Sequence, residues 1–164
     1  MDMAYRTILR PKLEYAAAVW DPYTQANIAK IESVQRRAAR FVSHNYSREA
    51  SVTTMLTTLK WPSLQQRRAE SRLSMAYRIT HNKVDIRPDD IFPTQLTTRP
   101  TRNSHSLRYK RPQCSKDCYK FSFVPRTVTQ WNNLPSAVVN SETLDDFKPK
   151  LSELDLTLSG QSYH

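Results

Sequence analysis

A single glycine, Gly160, occurs in the 164 residues. No glycine-rich loop is therefore available to bring backbone amides against a phosphate, and no dinucleotide-binding turn can form. The same scarcity excludes the strand-to-helix elbow that exposes a serine nucleophile, and it excludes Asn-Gly hairpin turns. Cysteine is scarce as well, with Cys114 and Cys118 alone. The start, MDMAYRTILRPK, has an acid at position 2 and no apolar segment before a cleavage site, so it does not read as a secretory signal. Both cysteines are then expected as reduced thiols in an intracellular setting, cytoplasm or nucleus. No run of about eighteen apolar residues is present, so neither a transmembrane helix nor a membrane partner is expected.

What the chain does have is positive charge and proline. Lysine and arginine number 25 against 15 carboxylates, a net charge of +10, and ten prolines supply the breaks. Such a balance concerns partners and solubility, not fold. A nucleic acid, an anionic membrane surface and an acidic protein are the anionic partners such a charge could meet. Prolines without glycines suit helices with sharp ends better than a hairpin-rich sheet.

The hydrophobic spacing supports a mainly α fold. In 3–20, Tyr5, Ile8, Leu9, Leu13, Ala16, Ala17 and Trp20 recur at helical spacing, with Pro11 kinking the segment or opening a second helix. Thr24 is a plausible cap for a helix over 25–43. At about 100° per residue, Ile28, Ile31, Val34, Gln35, Ala38, Ala39, Phe41 and Val42 share one broad arc. Lys30, Ser33, Arg36, Arg37 and Arg40 lie opposite, and Glu32 stands four residues before Arg36, where a weak pair is expected. Ser51 opens a short helix over 52–59. A longer one over 64–82 carries two apolar rows, with Arg67, Ser71, Ser74 and Arg78 as its wet strip. These elements predict a helical bundle over 1–83.

Beyond it the periodicity fades. A basic irregular segment is expected over 84–124, with short strands near 106–109 and 119–123 that could pair as a hairpin. Residues 99–126 hold eight lysines and arginines against the single carboxylate of Asp117. Val128, Trp131 and Leu134, then Leu144, Phe147 and Leu151 behind a Ser141 or Thr143 cap, predict a C-terminal helical cap over 125–154. A frayed tail is expected over 155–164.

Two basic surfaces are candidate sites. Lys30, Arg36, Arg37 and Arg40 on one helix face could neutralise phosphates without reading bases, or could simply be the solvated side of a bundle helix. Arg102, Arg108, Lys110, Arg111, Lys116 and Lys120 interleave with His105, Tyr109 and Tyr119. Cations beside rings suit single-stranded nucleic acid, and the plain alternative is a basic linker. Cys114, Cys118 and His105 lack the fourth ligand and the spacing of a structural zinc site, so no metal and no cofactor is expected. Trp20, Trp61 and Trp131, each beside or before a proline turn, read as packing residues.

Two stretches carry a family resemblance. One is Ile8-Leu9-Arg10-Pro11-Lys12-Leu13-Glu14-Tyr15-Ala16-Ala17-Ala18-Val19-Trp20-Asp21-Pro22, followed by Ile31 to Phe41. The other is Tyr119-Lys120-Phe121-Ser122-Phe123-Val124-Pro125-Arg126-Thr127-Val128-Thr129-Gln130-Trp131-Asn132-Asn133-Leu134-Pro135, followed by Leu144, Phe147 and Lys148. In this order they resemble the region after the palm in non-LTR, jockey-like retrotransposon reverse transcriptases, over about residues 4–154. The resemblance implies a thumb-like helical bundle, then a carboxy-terminal extension, with a palm domain as a further partner. It also implies that Arg36, Arg37 and Arg40 face the backbone of RNA or an RNA–DNA hybrid. Nucleotidyl transfer by a reverse transcriptase needs two aspartates in a Tyr-x-Asp-Asp type turn holding two metal ions. Asp89-Asp90 and Asp145-Asp146 have no such context. The expectation is a non-catalytic fragment that binds nucleic acid without sequence specificity. Its alternative is a helical remnant or protein-docking scaffold with no nucleic-acid role. Oligomeric state has no signal in the sequence.

Overall fold

The computed structural model of the protein describes residues 2–17, 20–96 and 105–157. The fold is mainly α-helical. The chain divides into two compact units, residues 1–68 and 69–164. The division falls inside a helix expected from sequence to lie wholly within one bundle ending near residue 83.

In the first unit the opening helix is α1 (Asp2–Ala4), a π-helical stretch (Tyr5–Leu9) and α2 (Arg10–Glu14). The amide of Arg10 donates to Tyr5 O, five residues back. Pro11 explains the wide turn. Its ring has no N–H and crowds the carbonyl four residues back, and widening the turn relieves both problems without ending the helix. Next come α3 (Gln25–Val42), α4 (Val52–Thr58) and the start of α5 (Leu64–Thr80). Ser51 caps α4 by accepting from the amide of Thr54, as its position implies. The core is small: Tyr5, Ala38, Ala39, Met55 and Trp61. The Tyr5 and Trp61 rings stack 3.9 Å apart at 21°.

Glycine scarcity shows at the helix ends. Ser43, Leu59 and His81 are each followed by a residue in the left-handed region: His44 at φ 50°, Lys60 at 53° and Asn82 at 51°. In each case the next amide reaches back over the turn: Asn45 to Arg40 O, Trp61 to Leu56 O and Lys83 to Arg78 O. This is the double-bond termination usually completed by glycine. Non-glycine side chains accept a cost of about 1–2 kcal/mol there.

Polar anchors supplement the small core. Arg67 grips both carboxylate oxygens of Glu14, with Nη2 to Oε2 at 2.9 Å and the Nε–Oε1 contact shorter. Arg68, fully buried, brings Nε 3.1 Å from Asp21 Oδ1. That contact is an ion pair without hydrogen-bond alignment, and the terminal nitrogens of Arg68 make no hydrogen bond. At the start of α5, Ser63 Oγ accepts from the amide of Gln66 and Glu32 Oε1 accepts from that of Gln65 at 2.8 Å. Glu32 therefore compensates a helix N-terminus instead of pairing with Arg36.

The second unit packs the rest of α5 with α6 (Pro88–Ile91), α7 (Asp117–Lys120), α8 (Phe123–Asn132), α9 (Ser136–Val139) and α10 (Leu144–Ser152). Its core includes Leu73, Tyr77, Val128, Trp131, Phe147 and Leu151, each at most 1% exposed. Thr143 caps α10 through the amide of Asp146, and the helix runs on through Pro149 to Ser152. Leu156 is buried, so packing continues past the expected start of the tail at 155. Residues 158–164 of that tail lie outside the described residues.

The expected hairpin is replaced by other structure. Tyr109 pairs antiparallel with Gln95, with Leu96 N to Arg108 O at 2.7 Å and Lys110 N to Thr94 O at 3.0 Å. In the other expected strand, 119–123, Tyr119 and Lys120 end α7, Phe121 and Ser122 form a turn, and Phe123 opens α8. The irregular segment is also fastened to α8. Trp131 Nε1 donates to Leu107 O at 2.7 Å, and the Asn132 amide both accepts from Tyr109 N and donates to Tyr109 O.

Candidate nucleic-acid interface

The α3 helix positions the first cationic set. Ile28, Gln35, Ala38 and Ala39 turn inward, and Gln35 donates to Pro62 O at 2.9 Å. That register leaves Lys30, Arg36 and Arg37 exposed. Arg36 and Arg37 have no carboxylate partner among the described residues, whereas Arg6, Arg10, Arg67 and Arg68 of the same unit all do. Arg40 is half-buried and donates from Nη1 to the carbonyl of Ser47 at 2.9 Å, which fixes its position, and no carboxylate among the described residues pairs with it. The helix thus carries four cations, and its one carboxylate is spent on α5.

Phe41 departs from the expected inward arc. It is 54% exposed. With Ile8, Leu9, Val34 and Arg37 it lines an apolar groove of about 380 Å³ between α3 and the π-helical stretch. On the opening helix, Ile8 is exposed at 57% and Tyr5 is buried against Trp61. Burial pushes the Tyr5 phenol up to about 12, with Glu14 adding to the shift. Trp20, expected to pack, is 42% exposed and donates to Tyr15 O. Trp61 and Trp131 are buried.

The second unit carries the other set. Lys110, Arg111 and Lys116 are exposed, and Arg108 and Lys120 are half-buried, Lys120 lying 5.5 Å over the Phe121 ring. Arg102 lies outside the described residues. Of the three rings expected to stack on bases, Tyr119 alone is open to solvent, at 47%. Tyr109 packs on Phe92 with centroids 4.8 Å apart. His105 is buried edge-on against Trp131 and donates from Nε2 to Trp131 O at 2.9 Å. Burial holds its imidazole below the ordinary range, and Arg108 acts in the same direction. These two rings serve the core. The cationic surface here is therefore point charges with one free ring, a weaker single-strand platform than the sequence suggested.

Cys114 is half-buried and Cys118 exposed, both as free thiols. Among the described residues no three His, Cys, Asp or Glu side chains are grouped to hold a metal ion. No helix among them is long and apolar enough to cross a membrane. Sequence reading passed over the groove and the buried Arg68 and Arg72. Comparison with models of protein families, with curated proteins and with solved structures finds no match for this chain.

Proposed function

We propose that this chain is a non-catalytic, post-palm portion of a non-LTR retrotransposon reverse transcriptase that binds the backbone of RNA or an RNA–DNA hybrid without reading sequence. One observation carries the reading: the outer face of α3 holds Lys30, Arg36 and Arg37 in solvent, and neither arginine has a carboxylate partner among the described residues. Guanidinium groups presented this way make charge-assisted contacts to phosphate oxygens and carry no base information. The second unit has exposed cations of its own in Lys110, Arg111 and Lys116.

The test is fluorescence anisotropy with labelled single-stranded RNA and RNA–DNA hybrid at several salt concentrations. Engagement of three or four phosphates gives a log–log salt slope of about −2.7 to −3.6 on the hybrid duplex and about −2.1 to −2.8 on the single strand. Replacing Arg36 and Arg37 with alanine should flatten that slope by about two and weaken binding alike across sequences. A salt-insensitive affinity, or an unchanged slope in the double variant, defeats the proposal. The competing reading, a helical remnant without a nucleic-acid role, requires that neither oligonucleotide binds at physiological salt.

A further inference from the structure

From the groove in the first unit we infer a docking site for an amphipathic helix of a partner protein, one with an aliphatic face and acidic flanks. The groove is lined almost wholly by aliphatic and aromatic carbon from two helices, with Arg37 as its single charged side chain. Its volume of about 380 Å³ suits a few side chains. Ile8, Leu9 and Phe41, at 57%, 44% and 54% exposure, leave more apolar surface in water than an isolated surface residue would. Ridges of aliphatic side chains on two neighbouring helices accept the ridges of a third, the geometry of helix-in-groove recognition.

Charge selects the partner's flanks. Arg37 sits in the groove wall, and Lys30, Arg36 and Arg40 lie along the same helix. No carboxylate of α3 opposes them, because Glu32 is engaged at the amide of Gln65. A basic helix would meet repulsion here; glutamates or aspartates beside its apolar stripe would meet Arg37. A flat lipid surface fits a concave site poorly. A nucleobase would find aliphatic walls with almost no hydrogen-bonding groups for its edges.

The probe is a fluorescein-labelled helical peptide of about eighteen residues (five turns). It carries leucines at every third and fourth position flanked by glutamates. A control peptide has lysines in place of the glutamates. The full chain should bind the acidic peptide at least about tenfold more tightly than the basic one. Ile8→Asp, at an exposed position, should weaken that binding about tenfold or more. Arg37→Glu should remove the charge preference while the far-UV spectrum stays unchanged. Equal binding of the two peptides, no binding of either, or full binding by the Ile8→Asp protein overturns the inference. It is also overturned if Ile8→Asp abolishes binding of single-stranded RNA or of anionic phosphatidylserine vesicles and spares the peptide. Concentration-dependent self-association lost in Ile8→Asp would reassign the groove to a second copy and overturn it too. None of these outcomes depends on the salt slope that tests phosphate binding.

Discussion

The two units are built on different balances. The second encloses Leu73, Tyr77, Val128, Trp131, Phe147 and Leu151 almost completely, with aromatic contacts running from Tyr77 through Phe147 to Trp131. The first encloses a few residues around the Tyr5–Trp61 stack and leaves Met3, Ile8, Leu9, Tyr15, Trp20 and Phe41 largely in water. It is held instead by directed polar contacts: Arg67 with Glu14, Arg68 with Asp21, and Trp61 Nε1 on Asp2 at 3.0 Å. Apolar burial is tolerant of small shifts, whereas a buried ion pair depends on geometry and on both partners being present. The units should therefore fail in different ways when perturbed.

The largest expected loss tests the packed unit. Trp131 is 1% exposed, and its indole also donates to Leu107 O. Trp131→Ala should cost about 3–5 kcal/mol of unfolding free energy, measured by urea titration. A loss under about 1 kcal/mol would mean that the ring is not buried.

A loss of similar size by another mechanism tests the first unit. Asp21→Ala leaves the Arg68 guanidinium buried without its carboxylate and should cost about 3–5 kcal/mol. Arg68→Met combined with Asp21→Ala should recover most of it, because no unpaired charge then remains. If the double variant is as unstable as the single one, packing of Asp21 and not its charge is what the fold uses. Trp131→Ala has no such rescue partner, which separates the two mechanisms.

A smaller effect depends on pH and belongs to the second unit. His105 and His81 both have pKa values lowered chiefly by burial, against backbone hydrogen bonds that pull the other way. The unfolded chain takes up these protons first, near the ordinary value of about 6.5. Stability is then complete above that pH and declines as pH falls toward the lower folded values. The slope cannot exceed about 1.4 kcal/mol per pH unit for each histidine. His105→Gln should shallow the decline, and amide hydrogen exchange should place the loss in the second unit, residues 69–96 and 105–157. A decline confined to the first unit contradicts the assignment.

Much of this was legible in the residues. The bounds of α3, α4 and α5, the Ser51 cap and the inward set of α10 follow from spacing and from side chains that accept amide hydrogens, whereas the opening helix, expected over 3–20, ends at Glu14, where Tyr15 turns to extended backbone. The irregular segment was not, because it is held by single long-range bonds such as Asn132 to Tyr109, which have no periodicity. Arg68 and Arg72 were passed over although the helical wheel holds a signal. At about 100° per residue from Leu64 they fall at about 40° and 80°, flanking buried Ile79 at about 60°, while Arg67, Ser71, Ser74 and Arg78 cluster at about 280–340°. An arginine inside the apolar arc announces a buried polar contact: Arg68 has Asp21, and Arg72 donates to Gln130 Oε1 at 2.5 Å. Phe41 gave a similar warning. Its angle lies nearer Arg37 than Ala38, so the candidate groove could have been suspected from α3 alone.

The smallest effect on stability is the one that bears most on function. Arg36 and Arg37 are exposed and pair with no carboxylate among the described residues, so Arg36→Ala with Arg37→Ala removes no ion pair seen there and opens no cavity. Surface substitutions of this kind stay within about 0.5 kcal/mol. Alanine also suits a helix interior at least as well as arginine. The double variant should therefore unfold at the same urea concentration as the parent, in contrast with the loss from disrupting the Arg68 pair a helix away. If it loses about 2 kcal/mol or more, these arginines hold the fold together, a role that surface substitutions do not have. The face of α3 would then belong to the first unit's set of polar anchors and not to a partner.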